Sequence, residues 1–131
     1  MATIQRPSHI TVIVKDQDAA KAFYTEAFQL AVTADDIFDM GGDTMRWLTV
    51  GPEDGAWGIA ITLPMAMPGR DPPPIGDANM TVLLTDDVDG VCKQVEAAGG
   101  TVDSPPEDLP WGRSAVVRDL DGNPWNLVKE N

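Results

Sequence analysis

Two stretches of this 131-residue chain, HITVIVKDQDAAKAFYTEAF near the start and NMTVLLTDDVDGVCKQVEAAGG past the middle, carry the same order of signals. Each opens on an alternating β-branched run, crosses a pair of aspartates and continues with apolar residues at helical spacing. Sliding one over the other by 71 positions sets Asp16 on Asp87, Asp18 on Asp89, and Ala20, Tyr24 and Ala27 on Val91, Val95 and Ala98. A slide of 70 would put Lys21 and Thr25 in the buried positions, so the chemistry of burial selects 71. The chain reads as a degenerate internal duplication, and one architecture has to satisfy both copies.

The elements follow from that repeat. In the first copy Ile10, Val12 and Val14 alternate with His9, Thr11 and Ile13 as a strand, and Asp16 or Asp18 offers an N-cap. Ala20, Phe23, Tyr24, Ala27 and Phe28 then share one helical face, and three short strands follow in LAVTADD, TMRWLTV and WGIAITL. The second copy repeats the order: NMTVLLTDD, a helix with Val88, Val91, Val95 and Ala98 on one face before a Gly-Gly C-cap, then TVDS, SAVVRD and PWNLV. The class is α+β, two βαβββ modules at about 7–64 and about 79–129 within a single 1–131 domain. They are joined by a proline-rich linker of about 65–78 that crosses the surface with some mobility.

Charge narrows the partners. With 21 acidic against 9 basic side chains the formal net charge is −12, which repels nucleic acid and anionic membrane surfaces and suits a cationic or neutral small molecule. The longest charge-free run, GAWGIAITLPMAMPG, is too short and too rich in proline and glycine to span a bilayer. One cysteine, Cys92, forms no intrachain disulfide, and MATIQRPSH has no secretory pattern, so the expectation is cytoplasmic. Cys92 sits beside Val91 and Val95 on a helix face, where burial is expected. Neither glycine pair carries the lysine of a phosphate-binding loop.

The paired units, with the phrases HITVIVKDQDAAKAFYTEAF and WGRSAVVRDLDGNPWNLV, resemble the vicinal oxygen chelate superfamily of glyoxalases, bleomycin-resistance proteins and extradiol dioxygenases. The resemblance spans nearly the whole chain and implies a cupped mixed sheet. In metal-using members it implies one ligand from the first and one from the last strand of each module, usually histidine, glutamate or glutamine. Carried over residue by residue, the first-strand positions are His9 and Met80. The last strand of the first module offers only Gly58, Ala60 and Thr62 to the cup, and the family carboxylate of the second falls on Asn126. A thioether is a poor ligand for a hard or borderline divalent ion, and a catalytic site needs about three protein ligands. The expectation is therefore no metal and no cofactor.

What remains is surface for a ligand. Trp47, Trp57, Trp111 and Trp125 with Met40, Met45, Met65, Met67 and Met80 supply flat and pliable apolar area, open either to a ligand or to core packing. Trp125, on the helix-facing side of its strand, is expected in the core. His9 is either a base or hydrogen-bond anchor, or is satisfied by a neighbour such as Asn126. Arg113 either orients a ligand or pairs with an acid. The expected ligand-binding set is His9, Met45, Trp47, Thr62, Met80, Trp111, Arg113 and Asn126. No catalytic residue is assigned; the alternative is a glyoxalase- or dioxygenase-like enzyme, a lyase or oxidoreductase, that uses His9 as base or has an atypical metal site. The function expected is a metal-independent protein that sequesters a bulky planar or cationic compound such as an antibiotic. The resemblance adds a homodimer, its cups built across the partner.

Overall fold

The computed structural model describes residues 1–65 and 69–131. Met67 and part of the proline-rich linker, including its expected mobility, lie outside the described residues. The order is β1 (His9–Ile13), α1 (Gln17–Ala27), β2 (Ala31–Asp39), β3 (Thr44–Gly51) and β4 (Gly58–Thr62). It repeats as β5 (Thr81–Leu84), α2 (Val88–Ala97), β6 (Thr101–Leu109), β7 (Gly112–Arg118) and β8 (Pro124–Glu130). The strands make two four-stranded mixed sheets of identical topology, β1-β4-β3-β2 and β5-β8-β7-β6. In each, the first strand runs parallel to the last. The architecture is α+β with one helix per βαβββ unit, as the repeat predicts.

Both helices start at the aspartates that the repeat aligns. Asp16 Oδ1 accepts from the Ala19 amide at 3.0 Å and Asp87 Oδ1 from the Gly90 amide at 2.9 Å. Each such cap contributes about 1 kcal/mol. Helix α1 turns Ala20, Phe23, Tyr24 and Ala27 inward, and α2 turns Val88, Cys92 and Val95. These side chains join Val12, Val14, Leu48 and Ile61 of the first sheet and Val117, Trp125 and Leu127 of the second in one cluster. Full burial of each large apolar side chain stabilises the fold by about 1.5–3 kcal/mol. The two helices also touch each other, and Gln94 Nε2 donates across to the Ala27 carbonyl at 2.8 Å. The Gly-Gly stop of α2 has a packing reason, since a Cβ on Gly100 would lie 2.7 Å from the Phe23 ring.

The halves are clasped by a buried polar group. The Tyr24 hydroxyl donates to Asp119 Oδ2 at 2.5 Å and accepts from Trp125 Nε1 at 3.1 Å. Asp119 also accepts from the Asn123 side-chain amide at 2.9 Å and from the backbone amides of Asp121 and Asn123. Asn123, fully buried, bridges onward to the Ile13 carbonyl at 3.2 Å and the Ala78 amide at 3.2 Å. Burial, and then the Asp119 carboxylate, push the Tyr24 phenol well above its ordinary value, so it stays a donor.

Three boundaries differ from the sequence reading. Strand β6 runs on through Pro105 and Pro106 to Leu109, where a stop after Ser104 was expected. It is an edge strand with two register irregularities, the setting in which a missing N–H costs no ladder bond. Strand β2 continues past Asp36 to Asp39, because its hairpin with β3 pairs up to Asp39 and Thr44. Leu63, the last residue of the expected strand WGIAITL, lies beyond the end of β4 and is exposed. Among the described residues, no helix is long and apolar enough to cross a membrane.

Candidate functional site

Alternation along each strand decides what faces away from the helices. On β1, Ile10 and Val12 pack into the core and His9 and Thr11 point to the cup; on β4 the same division leaves Gly58, Ala60 and Thr62 there. Strand β3 adds Met45, Trp47 and Thr49, and its partners across the hairpin add Asp36 opposite Trp47 and Phe38 opposite Met45. The centre of this face is an edge-to-face pair of the His9 and Trp47 rings, with centroids 5.5 Å apart. The imidazole also lies over Gly58: a Cβ there would come within 3.0 Å of His9 Cδ2 and 3.3 Å of Nε2. His9 Nδ1 shares a 2.9 Å hydrogen bond with Ser8 Oγ, leaving Nε2 on the ring's far side.

The hollows nearby combine methionine with polar side chains. Met45 lines two neighbouring hollows, one of about 190 Å³ shared with Thr62 and Met65 and one of about 550 Å³ shared with Met40 and Met65. His9 lines a third, of about 340 Å³, that reaches Trp57, Val82 and Leu84. Phe38 is half-exposed, and Asp36 is exposed and pairs with Trp47 across the hairpin. Phe38 and Asp36 were outside the sequence-derived set. Their signal was an Ala34, Asp36, Phe38 alternation that is readable only if the strand is carried past Asp36.

The second sheet differs at matching positions. Ser114 and Asn126 stand where the first sheet has Trp47 and Ala60, and Asn126 Nδ2 donates to Ser114 Oγ at 2.8 Å and to the Ala115 carbonyl at 2.9 Å. His9 is thus satisfied by Ser8 and Trp47 and not by Asn126. Met80 is exposed just ahead of β5, and Trp111 is exposed at the tip of the β6–β7 hairpin. Arg113 points the other way, to the helix side of β7. Its guanidinium holds Asp89 in a fork of 2.7 and 2.9 Å and Asp108 at 3.0 Å, so acid pairing is the role the structure gives it. The first half has the same device: Arg46 holds Asp18 at 2.8 Å and forks onto Asp35. Hydrogen bonds from these arginines hold the Asp35 and Asp89 carboxyls below the usual carboxylate range. The structure therefore gathers His9, Met45, Trp47 and Thr62 on one face, sets Asn126 on the other sheet, and leaves Trp111 and Arg113 apart.

The donor set does not fit a divalent ion. The four family positions supply one imidazole, one thioether, one neutral carboxamide and a methyl group at Ala60. Among the described residues no group of three or more His, Cys, Asp or Glu is placed to hold a metal. Cys92 is no substitute, since burial pushes its thiol up and away from the reactive thiolate.

Two like sheets, each with an exposed cup face, define a class of protein. The chain belongs to the glyoxalase/bleomycin resistance protein/dioxygenase superfamily, whose model matches residues 6–127. An uncharacterized protein of Shewanella frigidimarina (strain NCIMB 400) is 31% identical over 127 residues, 94% of this chain and 92% of that protein. Among solved structures, TnmS3, an antibiotic binding protein from Streptomyces sp. CB03234, is similar at 31% identity and a TM-score of 0.76, with both chains fully covered. A member of the same superfamily from Sphaerobacter thermophilus DSM 20745 is similar at 32% identity and a TM-score of 0.76, covering 97% of this chain and 98% of the other.

Proposed function

We propose that this protein binds a small molecule without a metal ion, holding a bulky planar or cationic compound of antibiotic type against the first sheet. The observation that carries the reading is the face built by His9, Trp47, Met45 and Thr62, extended by Phe38 and Asp36. Aromatic faces stack on planar ligands, thioethers mould to irregular ones, and a carboxylate beside an indole suits a ring that carries positive charge. The net charge of −12 favours the approach of a cation. The likeness to an antibiotic binding protein at 31% identity over the whole chain supports the same class of ligand.

Asn126 and Met80 belong to the proposal as the opposing wall, contributed by the second sheet of a partner in a homodimer. Exposed apolar side chains on both sheets, Phe38 on the first and Val82 and Leu84 on the second, support such a pairing. The test is titration with a panel of aromatic and peptide antibiotics, read by tryptophan fluorescence and thermal shift, with sedimentation to give the oligomeric state. A ligand should quench, raise the melting temperature and be recovered unmodified. A panel with neither response would remove the reading.

A further inference from the structure

The hollow beside His9 has a property that the cup does not require. At the two ends of β1, the Gly58 amide bonds to the Ser8 carbonyl and the Val14 amide to the Thr62 carbonyl, so alternate residues from Ser8 to Val14 spend their backbone groups on β4. His9, Thr11 and Ile13 therefore turn theirs to the outer edge. In β5 the Thr85 amide bonds to Val128, which turns Val82 and Leu84 outward in the same way. The two edges run antiparallel. Ile13, at the end of β1, meets the approach to β5, where its carbonyl accepts from the Gly76 amide at 3.1 Å and from Asn123. The beginning of β1 lines one cavity with the end of β5: His9 and Ile10 face Leu83 and Leu84 across about 340 Å³.

One end of this seam is sealed and the other is open, and the cause is a single pair of matching positions. Counted back from β8 and β4, Asn123 corresponds to Trp57. The amide of Asn123 bridges Ile13 and Ala78, whereas Trp57 offers no such bridge and lines the open cavity instead. No hydrogen bond to the backbone groups of His9, Thr11, Val82 or Leu84 is made among the described residues outside their own ladders.

We infer that the open end of the seam is a second binding site, one that takes the backbone of a short extended peptide bearing a positive charge at one end. An inserted strand would find N–H and C=O groups at two-residue spacing on both sides, the requirement for strand addition. A side chain of leucine size fits the adjoining hollow of about 140 Å³, which Trp57 and Leu83 share with Phe28, Leu30, Val91 and Leu127. Beyond Leu84 the groove continues past Asp86, Glu130 and Lys129, a net acidic mouth that selects the cationic end. The site shares the His9 hollow with the cup but not its groups: it uses the outward backbone of His9, Val82 and Leu84, and neither the imidazole nor the Val82 and Leu84 side chains that the proposed dimer covers.

The experiment is a titration of the 15N-labelled full-length protein with acetyl-Val-Leu-Val-Lys-amide, beside the same peptide N-methylated at alternate amides. The amides of His9, Thr11, Val82 and Leu84 should shift with the unmodified peptide. The methylated one should bind roughly tenfold more weakly, the loss expected for about two ladder bonds. Val82→Pro removes one outward N–H at an edge that tolerates proline and should weaken the unmodified peptide similarly. If that variant does not fold, the two peptides on the unaltered protein still decide. Equal binding of the peptides, shifts confined to Trp47 and Met45, no shifts at millimolar peptide, or seam shifts that depend on protein concentration alone would each overturn the site.

Discussion

The two sheets share one topology but floor their cups with opposite chemistry. In the first, Trp47 stands on β3 against His9, with Gly58 and Ala60 on β4 giving the rings room. In the second, the matching positions hold Ser114 and Asn126, joined by a 2.8 Å hydrogen bond. One floor is built on an aromatic pair; the other is polar, its two side chains hydrogen-bonded to each other. What has stayed the same is the frame: the Asp16 and Asp87 caps and the Arg46–Asp18 and Arg113–Asp89 pairs. The repeat has been kept where partners are local to one half and has diverged where a side chain looks outward or across to the other half.

That contrast can be broken most forcefully at the clasp. Asp119→Ala strands Tyr24, Asn123 and two backbone amides in the interior and should cost about 3 kcal/mol or more by urea denaturation. Glu53, its counterpart counted back from β4, is exposed, and Glu53→Ala should change stability by no more than about 0.5 kcal/mol. Equal effects would mean that the clasp does not distinguish the halves.

The floors are tested next. Trp47→Ala should weaken a bound planar ligand by about 2 kcal/mol, the scale of a stacked aromatic anchor, as measured by calorimetry with a hit from the antibiotic panel. Ser114→Ala should change that affinity by less than about 1 kcal/mol, since it removes one neutral hydrogen bond. Gly58→Ala sharpens the point, because the new methyl group would lie 3.0 Å from the His9 ring and 3.1 Å from the Val50 carbonyl, and the ring is the part that can move. It should lower affinity by an intermediate amount, with the displacement visible in the imidazole proton shifts.

The smallest effect concerns the conserved frame. Arg46→Met and Arg113→Met should each lower the melting temperature slightly and similarly, since both arginines sit half-buried at the surface, where solvent screens their pairs. The sign with pH follows from the depressed Asp35 and Asp89 carboxyls: their contribution is present above the ordinary carboxylate range and is lost as pH falls below it, through their lowered values. The difference between the parent protein and either variant should therefore shrink on acidification, and unequal behaviour would show that the frame, too, has diverged.

Much of this was legible in residue order. Helix faces and caps are local, so the 71-residue offset aligned the aspartate pairs that hold both N-caps without choosing between Asp16 and Asp18, and strand alternation put Trp125 in the core and His9 on the cup. The edge status of β6 was not legible, because prolines read as a stop until one knows that no neighbour needs their N–H groups. Nor was the face of Arg113, which depends on where β7 begins, or Phe38, which depends on how far a hairpin pairs. The contrast between Trp57 and Asn123 was hidden for a deeper reason. It lies in which turn reaches across to the other half, and no periodicity within one half encodes that.

The prolines of β6 have a further consequence. The outermost strands carry residues that discourage pairing with another molecule: Pro105 and Pro106 on one sheet, and Asp35, Asp36 and Asp39 on the other. Runaway association of concentrated protein into fibres through these margins is disfavoured from both sides. The margins left without such protection are β1 and β5, so aggregation provoked by heating should begin there, and a charge placed at Val82 should delay it.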